Sequence, residues 1–206
     1  MFVSAILLAA GASARFGSPK LLAKVGEEPI LRKVTKTFCF GGIDEVFVVL
    51  PSSGGDGLQT SLRKVIDDLS PTVWCVENPR WRDGMFTSVK AGLRALGGHT
   101  THVAVSPADL PFLREESLRT IVSAAACVAS EGKQDSTLLV PAHGGRRGHP
   151  LVFAAALVPR ILSWGDDRRL SSLFGEPDLR VLPLDGFGDD VLRDVDVPSD
   201  LVAARP

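Results

Sequence analysis

The chain has 206 residues, of which 45% are hydrophobic and 23% charged, and a formal net charge of −1. These are the proportions of an ordinary globular protein; they exclude wholesale disorder and give no broad electrostatic footprint for nucleic acid or an anionic membrane. Any anion recognition has to be local.

The opening apolar run, Phe2 to Ala10, is too short to span a bilayer and lacks the basic leader and cleavage site of a secretory signal, so the expected location is cytoplasmic. It reads as a strand around 3–9, nearly all apolar as a central parallel strand is. A glycine-bearing loop follows, then a helix around 29–40, a strand around 45–50, a helix around 57–69 and a strand around 73–76. The alternation continues with a helix around 84–96, a strand around 102–106, a helix around 114–130 and a strand around 137–140. This rhythm predicts an α/β protein with one domain over residues 1–206, a three-layer Rossmann-like fold whose mostly parallel, twisted sheet is flanked by helices. Beyond Pro141 come AHGGRRGHP, an apolar stretch at 151–158, a short helix in DDRRLSSLF, a strand and a C-terminal helix. Cys39, Cys75 and Cys127 are scattered among apolar residues with no C-x-x-C pair, which fits inert thiols better than zinc or disulfides. His99 and His102 lack a third ligand and make a poor zinc site.

The loop in LAAGASARFGSPKLL leaves the carboxyl end of the first strand, where open α/β sheets bind their ligands. Small residues such as Ala9, Ala10 and Gly11 let backbone amides approach phosphate oxygens, while Arg15 offers a planar fork and Lys20 a mobile point charge. Alone, the loop is equally a tight turn bearing two solvated cations. It is neither G-x-G-x-x-G nor a Walker A loop, because its glycines fall at positions 11 and 17 and Lys20 is followed by leucine.

A polyphosphate normally arrives with Mg²⁺, which takes one or two protein carboxylates plus phosphate and water. Asp109 follows THVAVS and precedes Leu110-Pro111, at the carboxyl edge of a strand; a turn-capping role is the alternative. In RDVDVPSDL, alternation puts Asp194 and Asp196 on one face of an extended segment, and Asp200 caps or opens the last helix. GGRRGHP supplies Arg146, Arg147 and His149 in a glycine-flanked loop, suited either to gripping an anionic acceptor or to plain solvation.

LAAGASARFGSPKLL resembles the signature of nucleotidyltransferases related to molybdenum cofactor guanylyl- and cytidylyltransferases, the MobA-like NTP transferase family. NPRWRDGMFTSVKAGL, SPADLPFL, RRGHPLVF, DDRRLSSLF and DVDVPSDL then appear in the order and approximate spacing of the cytidylyltransferase branch, so the resemblance covers nearly the whole chain. The guanylyl enzymes usually carry two glycines where this chain has Ala10 and Gly11, and generally lack the GHP and RLSSLF segments. The resemblance therefore implies CTP as nucleotide, a phosphorylated pterin (molybdopterin) as acceptor, Mg²⁺ as cofactor and a molybdoenzyme as downstream client. It implies metal ligation by Asp109 and Asp196, with Val197-Pro198 standing where the family commonly has Thr-Pro. It also places Asn78, Gly84 and Ser88 on the active-site surface, a segment that otherwise reads as a structural loop with Trp81 packing beneath it. Ala9, Ala10, Gly11, Arg15 and Lys20 are then expected to hold nucleotide, with Lys20, Arg15 and Asp109 catalytic and Arg147 and His149 facing the acceptor. A different nucleotide or acceptor, a non-catalytic nucleotide- or cofactor-binding protein, and an oxidoreductase on the same scaffold are the competing readings.

Overall fold

A computed structural model describes residues 1–11, 16–52 and 57–201. In chain order the elements are β1 (Val3–Leu8), the short hairpin β2 (Lys24–Val25) and β3 (Glu28–Pro29), α1 (Ile30–Phe40), β4 (Glu45–Pro51), α2 (Leu58–Lys64), β5 (Val73–Asn78), α3 (Met85–Ala95), β6 (His102–Pro107), α4 (Glu115–Ser130), β7 (Thr137–His143), β8 (Arg146–Arg147), β9 (Leu151–Ala154), α5 (Val158–Ser163) and β10 (Arg180–Leu184). The apolar β1 sits inside the main sheet, paired parallel with β4 on one side and β6 on the other. Across the sheet the order is β10-β7-β9-β6-β1-β4-β5, with β8 paired to β7. Along that path only β9 runs against its neighbours, antiparallel to both β6 and β7.

Alternation along β1 sends its side chains into two separate cores. Val3, Ala5 and Leu7 join Val34 and Phe38 of α1, Leu62 of α2 and Leu118 and Ile121 of α4. Ile6 joins Phe86, Val89 and Leu93 of α3 and Ile161 of α5 on the opposite face. The buried positions of α1, Ile30, Leu31, Val34 and Phe38, form the one-sided stripe that drives such a helix onto a sheet. On the other face α3 approaches so closely that a Cβ on Gly92 would lie 2.4 Å from Cγ2 of Ile6. Helices on both faces of a mostly parallel sheet make the predicted three-layer architecture. Among the described residues no helix is long and apolar enough to cross a membrane.

The departures lie where tertiary contacts override local pattern. Helix α2 stops at Lys64 instead of running to 69, because the chain tightens through Ile66 N to Arg63 O and Leu69 N to Ile66 O bonds while Arg32 takes the Val65 carbonyl and the Asp68 carboxylate. The apolar stretch at 151–158 divides into β9 and the beginning of α5. The expected helix in DDRRLSSLF is a 3-10 turn, Leu170–Gly175, and the described part of the expected C-terminal helix is the 3-10 turn Pro198–Leu201.

Candidate active site

The carboxyl ends of β1 and β6 open into a cavity of about 1150 Å³, ample for a nucleotide together with part of a second substrate. Ala9 extends β1 by donating to Val49 O, which leaves Ala10 and Gly11 on the cavity wall. Lys20 opens a 3-10 turn whose next residue, Leu21, is buried in the core, so an apolar anchor sets where the lysine emerges. Asp109 follows β6, and its carbonyl receives Val195 N at 2.9 Å, tying the distant 194–196 segment alongside. Fully buried Val195 turns Asp194 and Asp196 the other way, toward the cavity.

Lys20 Nζ donates to Asp109 Oδ2 at 2.5 Å, to Val195 O at 2.9 Å and to Asp196 Oδ1 at 3.2 Å. Residues 89 and 176 positions apart thus converge on one ammonium. The lysine and Asp109 side chains are only 13% and 16% exposed, against 46% for Asp196, so the pair is shielded on the core side and open on the Asp196 side. Burial alone would lower the lysine's pKa, but the hydrogen bonds and charges of Asp109 and Asp196 outweigh it and raise the pKa above the ordinary value. Asp200 Oδ2 accepts the amides of Asp196 and Val197 at 2.8 and 2.9 Å and fixes the turn that presents Asp196.

Two carboxylates aimed at one cation are a donor set that also suits a divalent ion. Oδ1 of Asp109 is buried with no hydrogen-bond partner, and a buried oxygen without a donor is one that a metal would satisfy. Among the described residues no group of three or more His, Cys, Asp or Glu side chains could hold a metal. The site therefore fits an ion that takes two protein carboxylates and draws its remaining ligands from phosphate and water.

Gly84 and Ser88, at the start of α3, and Arg147 and His149, on the chain from β8 to β9, line the same cavity. His149 N donates to Val191 O, and Gly148 passes so close to that carbonyl that a Cβ would meet it at 2.3 Å. Burial pushes the His149 pKa down against the opposing charges of Asp109 and Asp194. Ala9 and Asn78 do not line this cavity. Asn78 is buried behind it, donating to Thr87 Oγ1 and Ser88 Oγ at 2.9 Å each and accepting Arg80 N at 2.9 Å, so it braces the wall. Arg15 lies outside the described residues.

Sequence reasoning read Trp81 as a packing residue and did not assign Arg82, Asp166, Asp167, Arg168, Arg169 and Phe174, yet all of these line the cavity and make up its arginine end. Three of the arginines here lie over aromatic rings: Arg82 over Trp81 at 4.1 Å, Arg147 over Phe174 at 4.5 Å and Arg168 over Trp164 at 4.9 Å. Arg147 and His149, two residues apart, link this arginine end to the carboxylate end. The signal available was the charge tetrad Asp166-Asp167-Arg168-Arg169 between the apolar stretches ILSW and LSSLF.

A polyphosphate-sized cavity at the carboxyl edge of a parallel sheet, with a lysine between two carboxylates, is the site of a nucleotidyltransferase fold. Residues 5–181 match the MobA-like NTP transferase domain, and the chain belongs to that family. It is 32% identical over 167 residues to the nicotine blue oxidoreductase of Paenarthrobacter nicotinovorans, covering 78% of this chain and 75% of that one. It is 24% identical over 208 residues to the molybdenum cofactor cytidylyltransferase of Escherichia coli (strain K12), covering 98% and 95%. Among solved structures, a nucleotidyl transferase from Methanothermobacter thermautotroptrophicus superposes with a TM-score of 0.80 at 23% identity, covering 99% and 96% of the two chains.

Proposed function

We propose that the protein transfers the CMP group of CTP to the terminal phosphate of molybdopterin, releasing pyrophosphate. The observation that carries this reading is the convergence of Asp109 and Asp196 on Lys20 beside the Ala10–Gly11 backbone. The likeness to a molybdenum cofactor cytidylyltransferase over nearly the whole chain supports the choice of nucleotide and acceptor.

In this reaction an acceptor phosphate oxygen attacks the α-phosphorus in line and pyrophosphate departs, so no protein nucleophile is needed. An anion approaching a polyanion is opposed by charge, and catalysis comes from alignment and neutralisation. Lys20 holds and neutralises the phosphates, and Arg15 of the same sequence segment would add a second cation. The small residues Ala10 and Gly11 admit the phosphate chain against the backbone, with Ala9 buried behind them, and Gly84 and Ser88 face the nucleotide. Mg²⁺ would be held by Asp109 and Asp196, and when bound would supply charge neutralisation at the α-phosphate and the leaving group. Arg147 and His149 face the acceptor. The finished cofactor would pass to a molybdoenzyme client in the cytoplasm.

Pyrophosphate release measured with each nucleoside triphosphate, with and without molybdopterin, in Mg²⁺ and in chelator, tests nucleotide, acceptor and metal together. The expected result is release that needs CTP, acceptor and metal; equal or higher kcat/KM with GTP overturns the choice of base. A second reading is favoured by the 32% identical relative named an oxidoreductase. Against it stands the absence of G-x-G-x-x-G after β1. Oxidation of a reduced nicotinamide by the purified protein, with no pyrophosphate release under any of these conditions, would favour it.

A further inference from the structure

Lys90 occupies an unusual position for a lysine: the buried side of α3, with a side chain only 8% exposed. A buried ammonium requires dedicated partners, and those of Lys90 belong to one distant loop. Nζ donates to Trp164 O at 2.5 Å and to Asp166 Oδ1 at 2.7 Å. The second oxygen of Asp166 receives Arg80 Nη2 at 2.8 Å. Arg80 is steadied by Asp83 Oδ2 at 2.9 Å and, through its backbone amide, by Asn78. One carboxylate is therefore gripped by two cations, from α3 and from the turn after β5. The Lys90 hydrogen bond, opposed by burial and joined by Arg80, holds the Asp166 carboxyl below the usual aspartate range.

The residues that follow this anchor are the ones that furnish the arginine end. Asp167, Arg168, Arg169 and Leu170 line the main cavity, while Asp166 is a wall shared with a smaller neighbouring cavity of about 390 Å³. Arg168 lies over Trp164, and Trp164 stacks on Phe86 of α3 at 6.2 Å, so the loop rests on α3 through one aromatic contact and one ionic clamp. The carboxylate end is built on other elements, with no atom shared with the clamp.

We propose that Asp166, clamped by Lys90 and Arg80, is a positioning residue that sets the arginine end of the cavity and so governs recognition of an acceptor carrying anionic groups away from its attacking phosphate. This rests on the transferase reading above. Losing the clamp frees the 165–171 loop without disturbing Lys20, Asp109 or Asp196, so acceptor binding weakens while nucleotide binding does not.

The experiment compares the wild-type chain with Lys90→Met, Lys90→Arg and Asp166→Ala; the last lies on a loop and keeps the test open if Lys90→Met fails to fold. Three quantities are measured: hydrogen exchange at 165–171, the calorimetric Kd for CTP with Mg²⁺, and KM for molybdopterin. Expected are exchange faster by about tenfold or more at 165–171 in Lys90→Met and Asp166→Ala, KM for molybdopterin raised about tenfold, CTP Kd within about twofold of wild type in every variant, and recovery of exchange and KM in Lys90→Arg. Unchanged exchange at the loop overturns the clamp, and a parallel loss of CTP affinity overturns its selectivity for the acceptor. If the wild-type chain does not turn over molybdopterin, the transferase reading fails, and exchange alone supports or overturns the clamp.

Discussion

The two ends of the cavity are built by opposite methods. At the carboxylate end, each charged group follows a strand or an anchored turn, and Lys20 and Asp109 face each other with little exposure. At the arginine end, the cations sit on loops, turns and the short β8, and Arg168 is 47% exposed and pairs with Glu176 at 3.1 Å. Arg82, Arg147 and Arg168 are further ordered by the aromatic rings beneath them, beside the clamp on Asp166. Shielded charges interact strongly and reorganise little, as stabilising charge during phosphoryl chemistry requires. Exposed arginines are worth less individually but can be exchanged without disturbing the core. On the proposed function, the first region is suited to chemistry and the second to partner choice.

The sharpest way to break that division is Lys20→Met. It should lower kcat by about 100-fold, close to the loss of one preorganised charge-stabilising donor, measured by pyrophosphate release; wild-type turnover would remove Lys20 from the reaction. Next comes the anchor of the carboxylate end. Asp190 accepts Ser117 Oγ at 2.7 Å and Arg114 N and Nη2 at 3.2 Å, pinning the 189–196 segment to the start of α4. Replacing it with alanine leaves these donors unpaired, and stability should fall by about 2 kcal/mol in urea titrations at pH 7.

That contribution depends on pH with a definite sign. Burial would raise the Asp190 pKa, but the hydrogen bonds from Ser117 and Arg114 outweigh it and lower the folded-state value. A depressed carboxyl stabilises above its unfolded pKa of about 3.9 and loses that contribution as pH falls through the folded value. The gap between wild type and Asp190→Asn should thus be constant near neutrality and shrink below about pH 4; a gap that persists there would detach it from ionisation. Asp109→Asn should keep the fold and reduce turnover by at least about tenfold, or 1.4 kcal/mol of barrier. The smallest effect is expected for Arg169→Ala, with KM for the acceptor up about fivefold and CTP affinity unchanged; equal losses for both substrates would erase the distinction between the ends.

The carboxylate end was legible in sequence because each part is local. A nearly all-apolar strand places Ala10 and Gly11 at the sheet edge, a strand ending before Leu110-Pro111 places Asp109, and alternation around Val195 places Asp194 and Asp196 on one side. The parallel sheet was legible for the same reason, since apolar runs and periodic faces belong to single elements. The arginine end was not, because its order arises from contacts such as Lys90 with Asp166, 76 residues apart, on which periodicity is silent. Helix α2 was misjudged in length for a related reason: Arg32, on another helix, takes the carbonyl at its end. Asn78 read as a surface residue, yet its amide is spent bracing Thr87 and Ser88, a pairing visible only once β5 and α3 are set side by side.

The reversed direction of β9 has a wider consequence. Because it runs opposite to β6 and β7, the chain leaving β7 and the chain entering β9 emerge at the same rim, and residues 144–150 make a short connection between them. Its outermost residues are Gly144 and Gly145, while Arg147 pairs back onto β7 and His149 is tied to Val191, so changes at the glycine turn alter this rim without rerouting a helix. On the proposed function, a change of acceptor would then need only local replacement at this rim and none in the parallel strands.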